Sequence, residues 1–335
     1  MTTEPVRRKW PARSLRLQDR GSASVAKAVR LDLAAWICRI RDKMGAPQRH
    51  ASCVLGAGLM ALAITSPVSV IAADARPQRI VSLNLCTDEL LLRLADPSQI
   101  VSVSWLARDP LLSNVPQDAR RYPANRGLAE EVLGLEPDLV LAGRYTTPQT
   151  VALLRRLGLK VVEFDFPTSV DQSVDLVRRF GAVIGQEQRA AELSERMAKE
   201  LAAFRAKETS ASPPTALIYQ PNGYTAGAGS LMDSLLATSG LANMATSARH
   251  NGYGPLSLEA VARRAPDIVI IDQDSTAPSL ARQILEHPVL AALPNPPLTI
   301  AIPSRLWICA GPAMVEAVRL LRKARDEISS SRGMP

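Results

Sequence analysis

Residues 130–141 read EEVLGLEPDLVL, and residues 259–270 read EAVARRAPDIVI. Glu, Val and Pro-Asp keep one spacing in both: Glu130, Val132 and Pro137-Asp138, then Glu259, Val261 and Pro266-Asp267. The residue before a proline disfavours helical angles, so a short helix closes ahead of each proline. The apolar run behind each Asp then enters a buried strand. A helix-to-strand unit repeated in two halves predicts two lobes of one architecture.

Working outward, strand-like and helix-like segments alternate on both sides. In the first half the strands are Arg79–Asn84, Ile100–Ser104, Asp138–Ala142 and Lys160–Phe164. The helices are Thr87–Leu94, with Thr87 or Asp88 as N-cap, Leu128–Leu135, and Thr147–Leu157, closed by Gly158. In the second half the strands are Thr215–Gln220, Asp267–Asp272 and Leu298–Ile302. Its helices are Leu231–Ala237, Leu258–Arg264, Ser279–Glu286 and Ala313–Ile328. This alternation implies α/β lobes, each a parallel sheet sandwiched between helices.

Between the halves, Val170–Ile184 and Glu187–Lys207 read as helices with no strand between them. The second spans about 30 Å and reads as a single long connecting helix, and Glu208–Pro214 reads as a linker. The expected organisation is a leader over 1–75, an N-terminal lobe over 76–168, a helical connector over 169–210 and a C-terminal lobe over 211–335. A ligand cleft between the lobes follows.

Charge separates the leader from the body. The formal net charge is +8, but twelve of the 40 Lys/Arg and only four of the 32 Asp/Glu lie in residues 1–50. The remainder carries 28 of each and is neutral, so no nucleic-acid partner is expected. Arg49 and His50 precede an apolar run, Ala51–Ile64, too short to span a membrane. Ala73-Asp74-Ala75 fits a small-x-small cleavage site, with Val70-Ile71-Ala72 as an alternative. The reading is a cleaved export signal, with Met44 as the true start and the periplasm as destination. Cys53 lies at the start of the apolar run, not after it, so it forms no lipobox.

Beyond the leader, Arg79-Ile80-Val81-Ser82-Leu83-Asn84, the repeated Glu-x-Val-x4-Pro-Asp unit and the long central helix resemble one family. It is the iron–siderophore/vitamin B12 class of periplasmic substrate-binding proteins of ABC importers, and the resemblance covers about residues 77–328. It implies a monomeric protein with two lobes joined by a rigid helix that opens little. It also implies a metal chelate as ligand, an iron–siderophore or cobalamin, and an inner-membrane permease with its ATPase as partner. Glu130 and Glu259 match the glutamates that dock on transporter arginines in that family. Tyr253 and Trp307 fall near the ligand-contacting aromatics of its cobalamin-binding members. Heme or another chelate is the alternative cargo.

Ligands of parallel sheets meet the loops beyond the carboxyl ends of strands. Trp105, Tyr145, Tyr224 and Trp307 fall in loops that follow strands, Tyr253 lies just ahead of the second repeat unit, and the set suggests a cleft with flat apolar walls. Arg126 is a candidate partner for an anionic group on the ligand, with Arg108 weaker. The glycine-rich stretch Tyr224–Ser230 opens a helix and offers N–H groups to an anion. Cys86 and Cys309 are the two thiols of the body and fall at strand-to-helix turns. Three readings stand: a disulfide tying the lobes, thiolate contact with ligand or metal, or two separate small residues.

An enzyme is the rival class. No G-x-S-x-G, P-loop or HExxH motif occurs, and His250 and His287 are the body's only histidines. No catalytic residue, cofactor or protein-held metal is expected, and a site for free zinc or manganese is disfavoured.

Overall fold

The structure, a computed structural model, describes residues 76–205, 212–273 and 279–331. The leader, Met44, both cleavage sites and most of the 208–214 linker lie outside the described residues. Two parallel sheets form the body. The first contains β1 (Ile80–Ser82), β2 (Ile100–Ser104), β3 (Ala124–Asn125), β4 (Leu139–Gly143) and β5 (Val161–Phe164), in the order β3-β2-β1-β4-β5. The second contains β6 (Thr215–Ile218), β8 (Ala242–Asn243), β10 (Ile268–Asp272) and β11 (Leu298–Ile302), in the order β11-β10-β6-β8. A two-stranded antiparallel ribbon, β7 (Tyr224–Ala226) with β9 (Tyr253–Pro255), accompanies the second sheet.

The sheets share a plan. The series β2-β1-β4-β5 in one corresponds to β8-β6-β10-β11 in the other. The repeated Pro-Asp explains why. Asp138 accepts the backbone N–H groups of Gln78 (2.7 Å) and Arg79 (3.0 Å), at the entry to β1. Asp267 accepts the N–H (2.6 Å) and hydroxyl (2.8 Å) of Thr215, at the entry to β6. Each carboxylate pins the neighbouring central strand in register. The residue before each proline, Glu136 and Ala265, has φ 46°, so the left-handed turn recurs with the motif.

The helices are α1 (Leu85–Leu94), α2 (Ala129–Gly134), α3 (Pro148–Arg156), α4 (Val170–Ile184), α5 (Glu187–Arg205), α6 (Leu231–Thr238), α7 (Leu258–Arg264) and α8 (Met314–Ser331), besides shorter turns. Most bounds agree with the sequence reading within a residue or two. Three expectations are corrected. The N-cap of α1 is Asn84, whose side chain accepts from the Cys86 N–H at 2.9 Å; Thr87 and Asp88 lie inside the helix. The expected helix Ser279–Glu286 is only a short 3₁₀ turn at Gln283–Glu286. The stretch Tyr224–Ser230 first forms β7, and only Ser230 caps a helix, α6.

Strand alternation sorts the core. Ile80, Leu139, Leu141, Ala216, Ile218, Ile268 and Ile270 face one continuous cluster that also takes buried residues of α1, α4, α5, α6 and α8. The intervening Val81, Val140 and Ala142 face a small outer cluster with Val132 of α2 and Leu154 of α3. Leu217 and Val269 do the same with Val261 of α7. Both sheets therefore turn their inner faces to one shared helical layer.

Two antiparallel helices build that layer. At the start of α4, the Val170 N–H donates to Ser234 Oγ on α6 (3.0 Å); at its end, Ile184 O accepts from Gln99 Nε2 of the first lobe (3.0 Å). The return helix α5 starts with Arg189 bonded to Leu94 O (3.1 Å) and Asp96 (2.7 Å), and later pairs Glu200 with Arg319 on α8 (3.1 Å). The long connecting helix thus has a companion that crosses beside it. The turn between them needs Gly181, where a Cβ would fall 2.1 Å from Ala190 Cβ.

A disulfide joins Cys86 in α1 to Cys309 in the loop after β11, across 223 residues, with the Cα atoms 4.9 Å apart. The thiolate and separate-residue readings are thereby set aside. Asn114 of the first lobe adds a polar tie, donating from Nδ2 to Arg305 O of the second at 2.7 Å.

Two predictions follow from this core. Asp88 is fully buried and bonded to Ser104 Oγ (2.5 Å) and N–H (3.1 Å). Burial pushes its pKa from 3.8 up to about 7, against the pull of hydrogen bonds from Ser104 and Ser82. Between these values the unfolded chain is ionised while the native carboxyl holds its proton. Stability therefore falls as pH rises from about 4 to about 7, by at most about 4 kcal/mol at roughly 1.4 kcal/mol per pH unit. Urea unfolding across that range should show the slope, and Asp88→Asn should flatten it. Reduction of Cys86–Cys309 should add two hydrogens to the intact mass and lower stability by about 2–5 kcal/mol. Free thiols at both Cys86 and Cys309 in the untreated protein, located by alkylation and peptide mass, would contradict the bond.

Candidate functional site

The carboxyl ends of β1, β4 and β5 meet the loop after β11. There a cavity of about 100 Å³ opens, lined from the first lobe by residues including Cys86, Leu90, Tyr145 and Phe164, from the connecting helix α4 by Leu176 and Phe180, and from the second lobe by Ala310. Its apolar wall is built by strand ends and helix faces together. Phe164 ends β5 and packs on Phe180 of α4, with ring centroids 5.0 Å apart and planes tilted by 34°. Leu90 and Leu176 complete that wall from α1 and α4. At the mouth Arg144 Nη1 pairs with Asp165 Oδ1 at 3.0 Å.

The expected site residues divide into three groups. Cys86 and Tyr145 line this cavity, Tyr145 at the rim with 82% of its surface exposed. Trp105, Tyr224, Tyr253 and Arg126 are exposed but lie outside it. Trp105 opens a short turn, Trp105–Arg108, straight after β2. Tyr224 and Tyr253 come together on the ribbon, where Tyr224 pairs with Pro255 and Tyr253 with Ala226, so both project from one face. Burial raises the Tyr253 pKa, partly offset by a hydrogen bond from the backbone of Leu231 at the start of α6. The Arg126 backbone N–H donates to Glu131 at 2.7 Å.

Trp307 and Cys309 are corrections. Each is only 2% exposed and belongs to the main core. The turn Ser304–Leu306 folds the chain back behind β11, with the Trp307 N–H bonded to Ser304 O at 3.0 Å, and carries the indole inward. Neither side chain presents itself to a ligand. The anion reading of the glycine-rich stretch also fails at two of its donors. The Gly227 N–H is taken by Gly252 O (2.7 Å) and the Ala228 N–H by His250 O (3.0 Å). Gly227 is there for close approach, since a Cβ would fall 1.8 Å from His250 O.

Glu89 was missed by the sequence reading. Its Oε1 accepts the Asn114 N–H (2.9 Å) and Nδ2 (2.8 Å), while its buried Oε2 has no partner and faces Gly311 of the other lobe. Burial raises its pKa, opposed by the two bonds from Asn114. The available signal was two adjacent acids within the apolar segment LCTDELLLRL: no surface helix with that composition turns both to water.

Glu130 and Glu259 are exposed and occupy the second position of α2 and α7, the equivalent helices of the two lobes. Hydrogen bonds from its own N–H and from Ser257 lower the pKa of Glu259. Among the described residues, no group of three or more His, Cys, Asp or Glu could hold a metal ion, and no helix is long and apolar enough to cross a membrane.

Comparisons with known proteins agree with this geometry. A family model described as periplasmic binding protein matches residues 80–295. A cobalamin-binding protein of Halobacterium salinarum is 29% identical over 210 residues, 60% of this chain and 56% of that protein. The chain thus spans little more than half the length of that relative. A vitamin B12-binding protein of Salmonella typhimurium is 29% identical over 216 residues, 64% of this chain and 77% of that protein. Among solved structures, the apo form of the periplasmic heme-binding protein RhuT from Roseiflexus sp. RS-1 superposes with a TM-score of 0.63. It is 26% identical and the match covers 75% of this chain and 99% of that one. With its two-lobed α/β fold and its match over most of the body, this chain belongs to the periplasmic binding protein family.

Proposed function

We propose that the chain is the periplasmic binding component of an ABC importer and captures a metal chelate without chemically altering it. The observation that carries the reading is the apolar cavity at the strand ends of one lobe, closed by Ala310 of the other. Tyr145 stands at its rim, Trp105, Tyr224 and Tyr253 are exposed elsewhere, and among the described residues no group of three or more His, Cys, Asp or Glu could hold a metal ion. Flat apolar side chains give large contact area with few rotamers to freeze, which suits a rigid macrocycle. The names of the relatives favour cobalamin as cargo, and the RhuT likeness favours heme as the second reading.

Glu130 and Glu259 are the proposed contacts to the permease. Their support is positional: each is a glutamate at the second position of the corresponding helix of its lobe, although α2 also carries Glu131 in its first turn. Paired charges of this kind set orientation and encounter rate more than affinity.

Two experiments test the reading. Purified oxidised protein is titrated with cyanocobalamin, heme and a ferric catecholate complex, following the visible bands and Trp fluorescence. One of the three should saturate at a one-to-one ratio, and failure of all three would refute the chelate reading. Double charge reversal, Glu130→Lys with Glu259→Lys, should abolish uptake while leaving that titration unchanged. Undiminished uptake would refute the docking role.

A further inference from the structure

We infer that the cavity between α1, α4 and the ends of β1, β4 and β5 is a subsite for one uncharged apolar arm of the ligand, an aromatic ring or branched alkyl group. The inference rests on the chelate-binding reading and adds which part of the ligand enters the protein and which residues select it.

Size is the first argument. The cavity measures about 100 Å³, whereas complete small-molecule sites run to about 300–1,000 Å³. A macrocycle does not fit inside. A closed apolar cavity of about 150 Å³ admits benzene; this smaller space is open at its mouth, so a single small ring, seated partway, is the largest guest it takes. The body of the ligand then stays in the open cleft, against the exposed aromatics.

The chemistry of the wall is the second argument. Leu90, Phe164, Phe166, Leu176 and Phe180 supply an apolar surface. Apart from Tyr145 at the exposed rim, the polar side chains on the wall are already engaged. Asn84 Oδ1 accepts from the Cys86 N–H at 2.9 Å, and its Nδ2 donates to Thr146 Oγ1 at 2.9 Å. The Thr87 hydroxyl donates to Asn84 O at 2.9 Å and meets Ser82 Oγ at 2.8 Å. The sulfur of Cys86 is held in the disulfide and has no proton to give. A charged or strongly polar arm would lose its water and find no free partner, which is costly. At the mouth Arg144 and Asp165 neutralise each other, so the entrance favours neither sign of charge.

Leu90, Leu176, Phe164 and Phe180 are therefore the residues that set ligand specificity here. The test uses full-length oxidised protein with methyl-labelled leucine. Benzene should shift the Leu90 and Leu176 methyl resonances saturably, while benzoate, the same ring with a charge, should not. Leu176→Trp fills the cavity and should abolish the benzene response and weaken the captured chelate by about ten- to a hundredfold. Leu90→Phe serves as the second filling variant should Leu176→Trp fail to fold. No response to benzene, or an equal response to benzoate, overturns the inference. A chelate that binds both filled variants as tightly as the parent overturns it while leaving the chelate reading intact. If no chelate binds the parent protein, the chelate reading falls, and the benzene and benzoate comparison alone decides the chemistry of the cavity.

Discussion

The two sheets bury their inner faces against the same pair of crossed helices, and this shared layer governs everything else in the body. In a protein with two separate cores, a linker sets how the lobes move. Here Leu139 and Leu141 of one sheet and Ile268 and Ile270 of the other join one continuous cluster through Phe180, Ile184, Met197 and Leu201. Pulling the lobes apart would expose part of that cluster at roughly 25 cal/mol for each Å² of apolar surface. The close contact of Gly181 with Ala190 holds α4 and α5 together, and neither helix contains a hinge loop.

The disulfide adds a second tie between the lobes. Cys86 and Cys309 meet among the loops at the strand ends, beside the candidate cavity, whose wall also takes Leu176 and Phe180 of α4. The lobes are thus held by packing on the shared helices, by a covalent bond and by the Asn114–Arg305 contact. Such a cleft presents its ligand with a surface that is already formed. Binding then spends little free energy on ordering the protein, which is how a preorganised site gains affinity from a modest contact area.

Much of this was readable from sequence because repetition and alternation are local. The Pro-Asp unit showed the two lobes, and the continuous apolar runs Leu139-Val140-Leu141 and Ile268-Val269-Ile270 showed buried strands, whose alternate residues the structure sorts to opposite faces. The carboxylate bridges from Asp138 to β1 and from Asp267 to β6 were hidden, since each joins residues more than fifty positions apart. The candidate site was read less completely for the same reason. Loop position suggested that Trp307 faces a ligand, but a single turn at Ser304–Leu306 sends it into the core. Phe164 and Phe180 were not among the expected site residues, and only the approach of β5 to α4 makes them a cavity wall. The Cys86–Cys309 pairing was one of three open readings because sequence separation says nothing about proximity.

The most direct test of the shared layer is a distance measurement between the lobes. Spin labels at exposed positions Gln149 of α3 and Arg263 of α7 would report it by pulsed dipolar spectroscopy in the ligand-free protein. One narrow distance population is predicted, and it should persist after the disulfide is reduced, because the packed layer holds the lobes without it. Two populations, or a broad distribution in either redox state, would contradict the account.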